Sequence, residues 1–390
     1  MYSYLKVEAT VHVNRMLLDY HRARQFKIYG SFPLISDDPS LIFTNATITP
    51  FKNLFLGDDR PHNYALVQQC LRVGGGAGDP SLALNSPNYS SVFEMFGSGL
   101  FGRSLKEAVE YFVDMLTHVG IPFDNLHFTV PKDSPFLGAL QELGVKQGKI
   151  YSIEENGDFW HAWKFGKNGL LGSGITAVYV PPESDVRSVE DLAAMPDVNI
   201  EIGNLIHIYG RDNGGQTESI HNEGFEVGMG SARLAIILER KSLWELSSFF
   251  EIFSAVKGSL VRFSSHQVND GLVRIVTDHL RTISTLIMNG VRPGNKREEF
   301  VLRKMIRNYC ELVWLEAGQI KGSVSVVYDF IETFMPLEAK RVAETIDNEE
   351  AQFRKVLGKG AEMIRKDSNL DPVLLMSTYG IRSQLIPLLK

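Results

Sequence analysis

Two arginines, an aromatic ring and a set of glycines are the residues of this chain best suited to chemistry. Arg72 sits in CLRVGG at Cys70 to Gly75, on a predicted strand with paired glycines after it. Arg233 sits in GMGSARL at Gly228 to Leu234, at the start of a predicted helix. A guanidinium stays charged at every working pH, and its planar fork matches two phosphate oxygens at once. Gly228 and Gly230 would let backbone come close to a ligand, and the helix they open favours phosphate charge at its N-terminus. Phe93, in FEMFGSGLFG at Phe93 to Gly102, offers a flat surface to a purine. Singly, each has an ordinary explanation: a solvated strand arginine, a turn, a core phenylalanine. Together they could hold a nucleoside triphosphate and neutralise charge building on its phosphates.

Other reactive side chains point elsewhere. Cys70 lies two residues before Arg72 with no histidine near it in sequence, so it reads as packing rather than a nucleophile. Cys310 reads as helix core. The ten histidines show no metal-ligand spacing, and His207 and His279 read as hydrogen-bonded structural residues.

These residues need elements to position them, and 390 residues suffice for two domains with a large core. A formal charge of −6 gives no global attraction to nucleic acid or anionic membrane, though a local basic patch stays open. Two cysteines are too few for a disulfide framework, which makes a reducing cytoplasm the default. The N-terminus has no apolar signal core and is neither Arg- nor Ser-rich. No stretch approaches the ~18 apolar residues of a membrane span, so no membrane partner is expected. Residues 1–242 mix short β-rich runs with helices, and residues 243–390 read as a helical domain. Helices are expected at Ser104 to His118, Gly230 to Lys241, Asp270 to Asn289, Arg297 to Ala317 and Leu337 to Lys366, from apolar stripes with polar caps and glycine stops. Strands are expected at Leu126 to Val130, Ala177 to Val180 and Val198 to Tyr209, with a turn at Asp212 to Gly215. The fold class is α+β: an antiparallel sheet flanked by helices, then a helical bundle.

The motifs resemble those of the alanyl-tRNA synthetase family, in the class II aminoacyl-tRNA synthetases. LIFTNATITPFKNLFLG at Leu41 to Gly57 is similar to the family's LLFTNAGMxQFKxVFLG. From Arg72 to Met95 the chain keeps the family's spacing between CIRAGG and FFEM. NIEIGNL at Asn199 to Leu205 resembles IEIWNL, and FEVGMGSARL at Phe225 to Leu234 resembles VDTGMGLERL. Arg274 to Asn295, Glu349 to Gly360 and Ser377 to Gly380 resemble the family's helical tRNA-recognition domain and its last segments before the editing domain. The resemblance runs from about residue 12 to the C-terminus.

It implies a reaction: ATP and Mg²⁺ activate alanine or a similar small amino acid as the aminoacyl-adenylate. On matching positions, Arg72 would hold the α-phosphate, Phe93 would stack on adenine and Arg233 would bind the outer phosphates, with Asp79, Gly228 and Gly230 beside the ATP. Ile48, Trp160, Ile202, Asn204 and Gly228 would line the amino-acid pocket, and Glu226 would receive the substrate ammonium where the family has Asp. Glu201 is the candidate Mg²⁺ ligand. Asn295, Lys296, Arg303 and Arg307 are candidates to meet tRNA.

Departures from the family pattern set further expectations. The chain should lack the editing and C-terminal domains, so its oligomeric state stays open. GGKHND becomes GGGAGD at Gly74 to Asp79, HHT becomes Tyr89-Ser90-Ser91, and GPCGPC becomes GLLGSG at Gly169 to Gly174. Gly203 replaces a tryptophan and should leave room beside the pocket. Glu298 and Glu299 fall where RNA phosphate would be near. The changed loops favour an acceptor other than tRNA, such as a small-molecule amine or hydroxyl or a carrier thiol. A minimal alanine–tRNA ligase, and a non-catalytic paralogue that senses an amino acid or tRNA, are the alternatives.

Overall fold

The structure, a computed structural model, describes residues 8–57, 60–74, 81–154, 162–165, 169–264, 266–320, 323, 326, 328, 330, 338–366, 372–379 and 381–389. It divides into two compact units. The sheet unit is built from Val7–Leu71 and Phe93–Leu246, and the helical unit from Arg72–Val92 and Ser247–Lys390. The division after Leu246 lies four residues beyond the expected 242/243 boundary. The segment Arg72–Val92, expected in the first domain, groups with the helices instead.

The strands of the sheet unit are β1 (Lys27–Tyr29), β2 (Tyr64–Leu71), β3 (Val92–Phe101), β4 (Leu126–Pro131), β5 (Ile150–Ile153), β6 (Ala162–Phe165), β7 (Leu170–Tyr179), β8 (Ile200–Asn213) and β9 (Gln216–Gly230). They form one sheet in the order β1-β2-β3-β9-β8-β7-β4-β5, with β6 on β7. The centre is antiparallel, as expected, but β1 pairs with β2 and β4 with β5 in parallel, so the sheet is mixed. A parallel pair needs a crossover rather than a hairpin, and the long connections 30–63 and 132–149 supply one to each edge. The β8–β9 hairpin turns on Gly214 and Gly215, whose φ of +63° and +95° explain the Asn-Gly-Gly signal.

The helices of this unit are α1 (Glu8–Ala23), α2 (Lys52–Leu56), α4 (Leu105–His118), α5 (Pro135–Glu142), α6 (Val189–Ala194) and α7 (Ser231–Glu239); α3 (Leu82–Asn85) belongs to the helical unit. A capping box between Ser104 and Glu107 starts α4, and its stripe Ala108, Val109, Phe112, Val113 and Leu116 is buried. One face of β3 lies under α1 and α4. Asn14 of α1 donates to the Glu94 carboxylate at 2.8 Å, and Tyr111 of α4 hydrogen-bonds Ser98 at 2.7 Å. The opposite face is packed by the segment ending in α2. There Ile48, Phe51, Leu54 and Phe55 form one apolar cluster with Tyr64, Leu66, Ile206 and Ile208. Each such buried side chain contributes about 1.5–3 kcal/mol.

The helical unit contains α8 (Ser247–Val261), α9 (Asp270–Met288), α10 (Arg297–Ala317), α11 (Ala339–Lys366), α12 (Pro372–Tyr379) and α13 (Ile386–Leu389). Asn269 caps α9 through its side chain, and Gly290 follows its end at φ +86°. α9 packs against α3, α8, α10 and α11. Its apolar stripe is buried, and so are Thr277, Asp278, His279 and Arg281 on its polar side. Between α10 and α11, Trp314 stacks on Phe353 with ring centres 5.5 Å apart. No helix among the described residues is long and apolar enough to cross a membrane.

Candidate active site

Alternation along three neighbouring strands places the candidate site on one face of the sheet, the face packed by the segment ending in α2. The register pairs Met95 with Gly230, Gly97 with Gly228 and Gly99 with Glu226 across β3 and β9. Across β8 and β9 it pairs Asn204 with Gly228 and Ile206 with Glu226. Partnered residues share a face, so Phe93, Met95, Gly97, Gly99, Asn204, Ile206, Glu226, Gly228 and Gly230 all lie on the same one. Four of these nine are glycines, which thins the side chains on this face.

Glu226 is 2 % exposed, and its carboxylate is held by two hydroxyls. Thr47 donates to Oε1 at 2.9 Å and Tyr64 donates to Oε2. Burial pushes the Glu226 carboxyl up to about 8, against the pull of the two donated hydrogen bonds. Burial and the adjacent carboxylate push the Tyr64 phenol up, which keeps it a donor. The glycines make this arrangement possible. A Cβ on Gly97 would fall inside the Thr47 side chain, and one on Gly99 inside the Tyr64 ring. Both are buried, so neither can step aside. Gly99→Ala should therefore cost about 1–3 kcal/mol by overpacking, read as a lower midpoint in denaturant melts. An unchanged midpoint would mean that Tyr64 is not fixed over β3.

Thr47, Tyr64, Gly97 and Gly99 were not among the residues singled out from sequence. The alternating glycines of FEMFGSGLFG were the available signal, since glycine inside a strand marks a close approach. Thr176 is a further addition. Its hydroxyl donates to Asn204 Oδ1 at 2.6 Å, which aims the amide nitrogen away and leaves it as a donor.

Arg233, in the first turn of α7, donates from Nη1 to the Glu201 carbonyl at 3.1 Å and pairs with Glu201 Oε1 at 3.2 Å. Its side chain stays 43 % exposed, so a ligand phosphate can reach it. Glu201 has Oε2 outside the pair. That suits one ligand to a hydrated Mg²⁺ that takes its other oxygens from water and phosphate. Among the described residues no cluster of three or more His, Cys, Asp or Glu could hold a metal by itself.

Several expected positions differ from the sequence reading. Arg72 is exposed and follows the last residue of β2 rather than lying on the strand; it belongs to the helical unit, where its N–H donates to the Ser91 carbonyl. Gly203 opens no space: a Cβ there would meet the Gly228 carbonyl and the Met229 side chain, so this glycine lets β8 and β9 approach closely. Ile48 is sealed in the apolar cluster, and Ile202 is fully buried beside a register shift between β7 and β8. Met95 lies over Gly228, its terminal methyl 2.7 Å from where a Gly228 Cβ would stand. Asp79 and Trp160 lie outside the described residues.

In the helical unit, Arg307 is committed to the buried Glu349 at 2.8 Å and lies over Phe353. Arg303 donates to Asn295 and lies over Phe300. Lys296 is exposed at the N-cap of α10. Cys70 and Cys310 are both buried, His279 bonds the Ile275 carbonyl at 2.8 Å, and His207 meets Glu223 at 3.3 Å.

The profile of the tRNA synthetases class II (A) matches residues 12–373. The chain belongs to that family. Among curated proteins it is similar to the alanine–tRNA ligases of Nitrosomonas europaea, 28 % identical over 90 % of this chain and 42 % of that protein. The enzyme of Herpetosiphon aurantiacus is 27 % identical over 94 % and 44 %. This synthetase-family chain thus spans less than half the length of those relatives. Among solved structures, Entamoeba histolytica asparaginyl-tRNA synthetase overlaps 62 % of this chain and 66 % of its own, at 8 % identity and a TM-score of 0.38. A likeness that loose carries no weight beside the strand order itself.

Proposed function

We propose that this synthetase-family protein activates a small amino acid, alanine foremost, as its adenylate at the expense of ATP. The observation that carries the reading is the buried Glu226 carboxylate on the glycine-lined face. Once ionised by a bound ammonium, it would offer that group a negative charge held by two hydroxyl donors. The Met95 roof over Gly228 favours a short side chain. The resemblance assigns the remaining work: Phe93 against adenine, Arg72 on the α-phosphate, Arg233 on the outer phosphates. The amino-acid carboxylate attacks the α-phosphorus in line, and pyrophosphate leaves with the electron pair. Mg²⁺ bound through Glu201 would neutralise the leaving phosphates.

The raised Glu226 pKa gives this reading a direct test. At pH 7 the empty site keeps most of its proton on Glu226, and a bound ammonium favours the ionised form. Binding should then release about one proton at pH 7 and almost none at pH 9. Calorimetry with alanine in buffers of different ionisation enthalpy reads that number. Binding without proton release at pH 7 would place the ammonium elsewhere.

The relatives' names favour tRNA as the acceptor of the activated amino acid. The commitment of Arg307 to Glu349 and of Arg303 to Asn295 favours the second reading, an acceptor other than tRNA. Offering total tRNA to the loaded protein separates the two, because only the first gives aminoacylated RNA.

A further inference from the structure

The polar side of α9 has no counterpart in the chemistry described so far, yet Asp278 and Arg281 on it are buried and hydrogen-bonded. Asp278 is 0 % exposed. Its Oδ1 accepts the Ser91 N–H at 2.8 Å and the Ser90 hydroxyl at 3.2 Å, while its Oδ2 accepts the Ser91 hydroxyl at 2.6 Å. One turn on, Arg281 donates to the Ser90 hydroxyl at 2.5 Å and to the Val92 carbonyl at 3.4 Å. One turn back, Arg274 donates to the Ala83 carbonyl at 3.0 Å and the Leu84 carbonyl at 2.7 Å. Three side chains on one helix face therefore grip both ends of residues 83–92. From Ser91 the chain of contacts continues to Arg72, whose N–H donates to the Ser91 carbonyl at 3.0 Å.

We propose that Asp278 and Arg281, with Arg274, are positioning residues that fix the backbone of Arg72 through Ser90 and Ser91. The proposal rests on the assignment of Arg72 to the ATP phosphates. A guanidinium on a short, exposed stretch of chain aims at a phosphate only if its own backbone is held, and β2 ends one residue before it. α9 supplies that hold from the helical unit. The departure Tyr89-Ser90-Ser91 thereby gains a physical role. The two hydroxyls are the groups that Asp278 and Arg281 bind, and Asp278 satisfies the Ser91 N–H that burial would otherwise leave unpaired.

Two variants probe the grip from opposite sides. Asp278→Asn keeps the side-chain shape inside α9, and Ser91→Ala removes one hydroxyl from the segment without touching α9. Hydrogen exchange should show faster exchange across residues 83–92 and at Arg72 in both, with α9 itself unchanged. Calorimetry should show ATP affinity lowered by about tenfold, with alanine affinity unchanged, a split that general loss of stability would not produce. Rapid exchange across α9 would mean that the helix has lost its fold, and Ser91→Ala then decides alone. Unchanged exchange at 83–92, or looser exchange with unaltered ATP affinity, would overturn the positioning role. A wild-type protein that binds no ATP would instead overturn the assignment of Arg72.

Discussion

Arg72→Ala should lower amino-acid-dependent ATP–pyrophosphate exchange by about 10²–10³-fold, the usual cost of removing one preorganised donor to a developing charge. As the carboxylate adds to the α-phosphorus, negative charge grows on the phosphoryl oxygens, and only groups already in place can meet it without reorganising. A guanidinium meets two oxygens at once. Arg72→Lys should therefore recover part of the loss but not all, since an ammonium offers charge without the fork. Arg72 is exposed, and exposed truncations cost about 0.5 kcal/mol or less, so melting should barely move. Exchange that survives in the alanine variant would mean that another cation holds the α-phosphate.

Glu226→Gln should nearly abolish use of the amino acid while leaving ATP binding intact. A buried ammonium facing an amide instead of a carboxylate lacks its charge partner, at a cost of about 3–5 kcal/mol, or roughly 10²–10⁴-fold in kcat/KM. The same variant should be more stable than the parent above neutral pH. The folded-state carboxyl titrates near 8 against an ordinary value of 4.5. Between these values the unfolded chain has lost the proton that the folded one keeps, so the parent's stability falls as pH rises through this window. Gln does not titrate. The melting-temperature gap in favour of Glu226→Gln should thus widen from pH 5 to pH 8 and level off above it. A gap independent of pH would contradict a buried, protonated Glu226.

What could be read from the sequence followed the reach of each signal. α10 was expected at Arg297 to Ala317 and lies there, because caps and stripe are local. The outer half of β9, Gln216 to Gly224, went unread. Ile220 is its one apolar side chain and the rest is polar, so no alternation marks it, and it is a strand only because β8 lies beside it. Glu226 could be found by resemblance but its partners could not: Thr47 is 179 positions away and Tyr64 162, and no local pattern joins them. Gly203 misled for a related reason. A missing side chain reads as free space, whereas the neighbouring strand fills it with Met229. The polar side of α9 carries no local signal of its hold on residues 83–92, which shows only once that segment is placed.

The most direct test of adenylate formation is exchange of labelled pyrophosphate into ATP, with Mg²⁺, one amino acid at a time. Exchange that depends on alanine or another small amino acid, and disappears in Arg72→Ala, is the expected result. A folded protein that binds ATP but exchanges no pyrophosphate with any amino acid would contradict it.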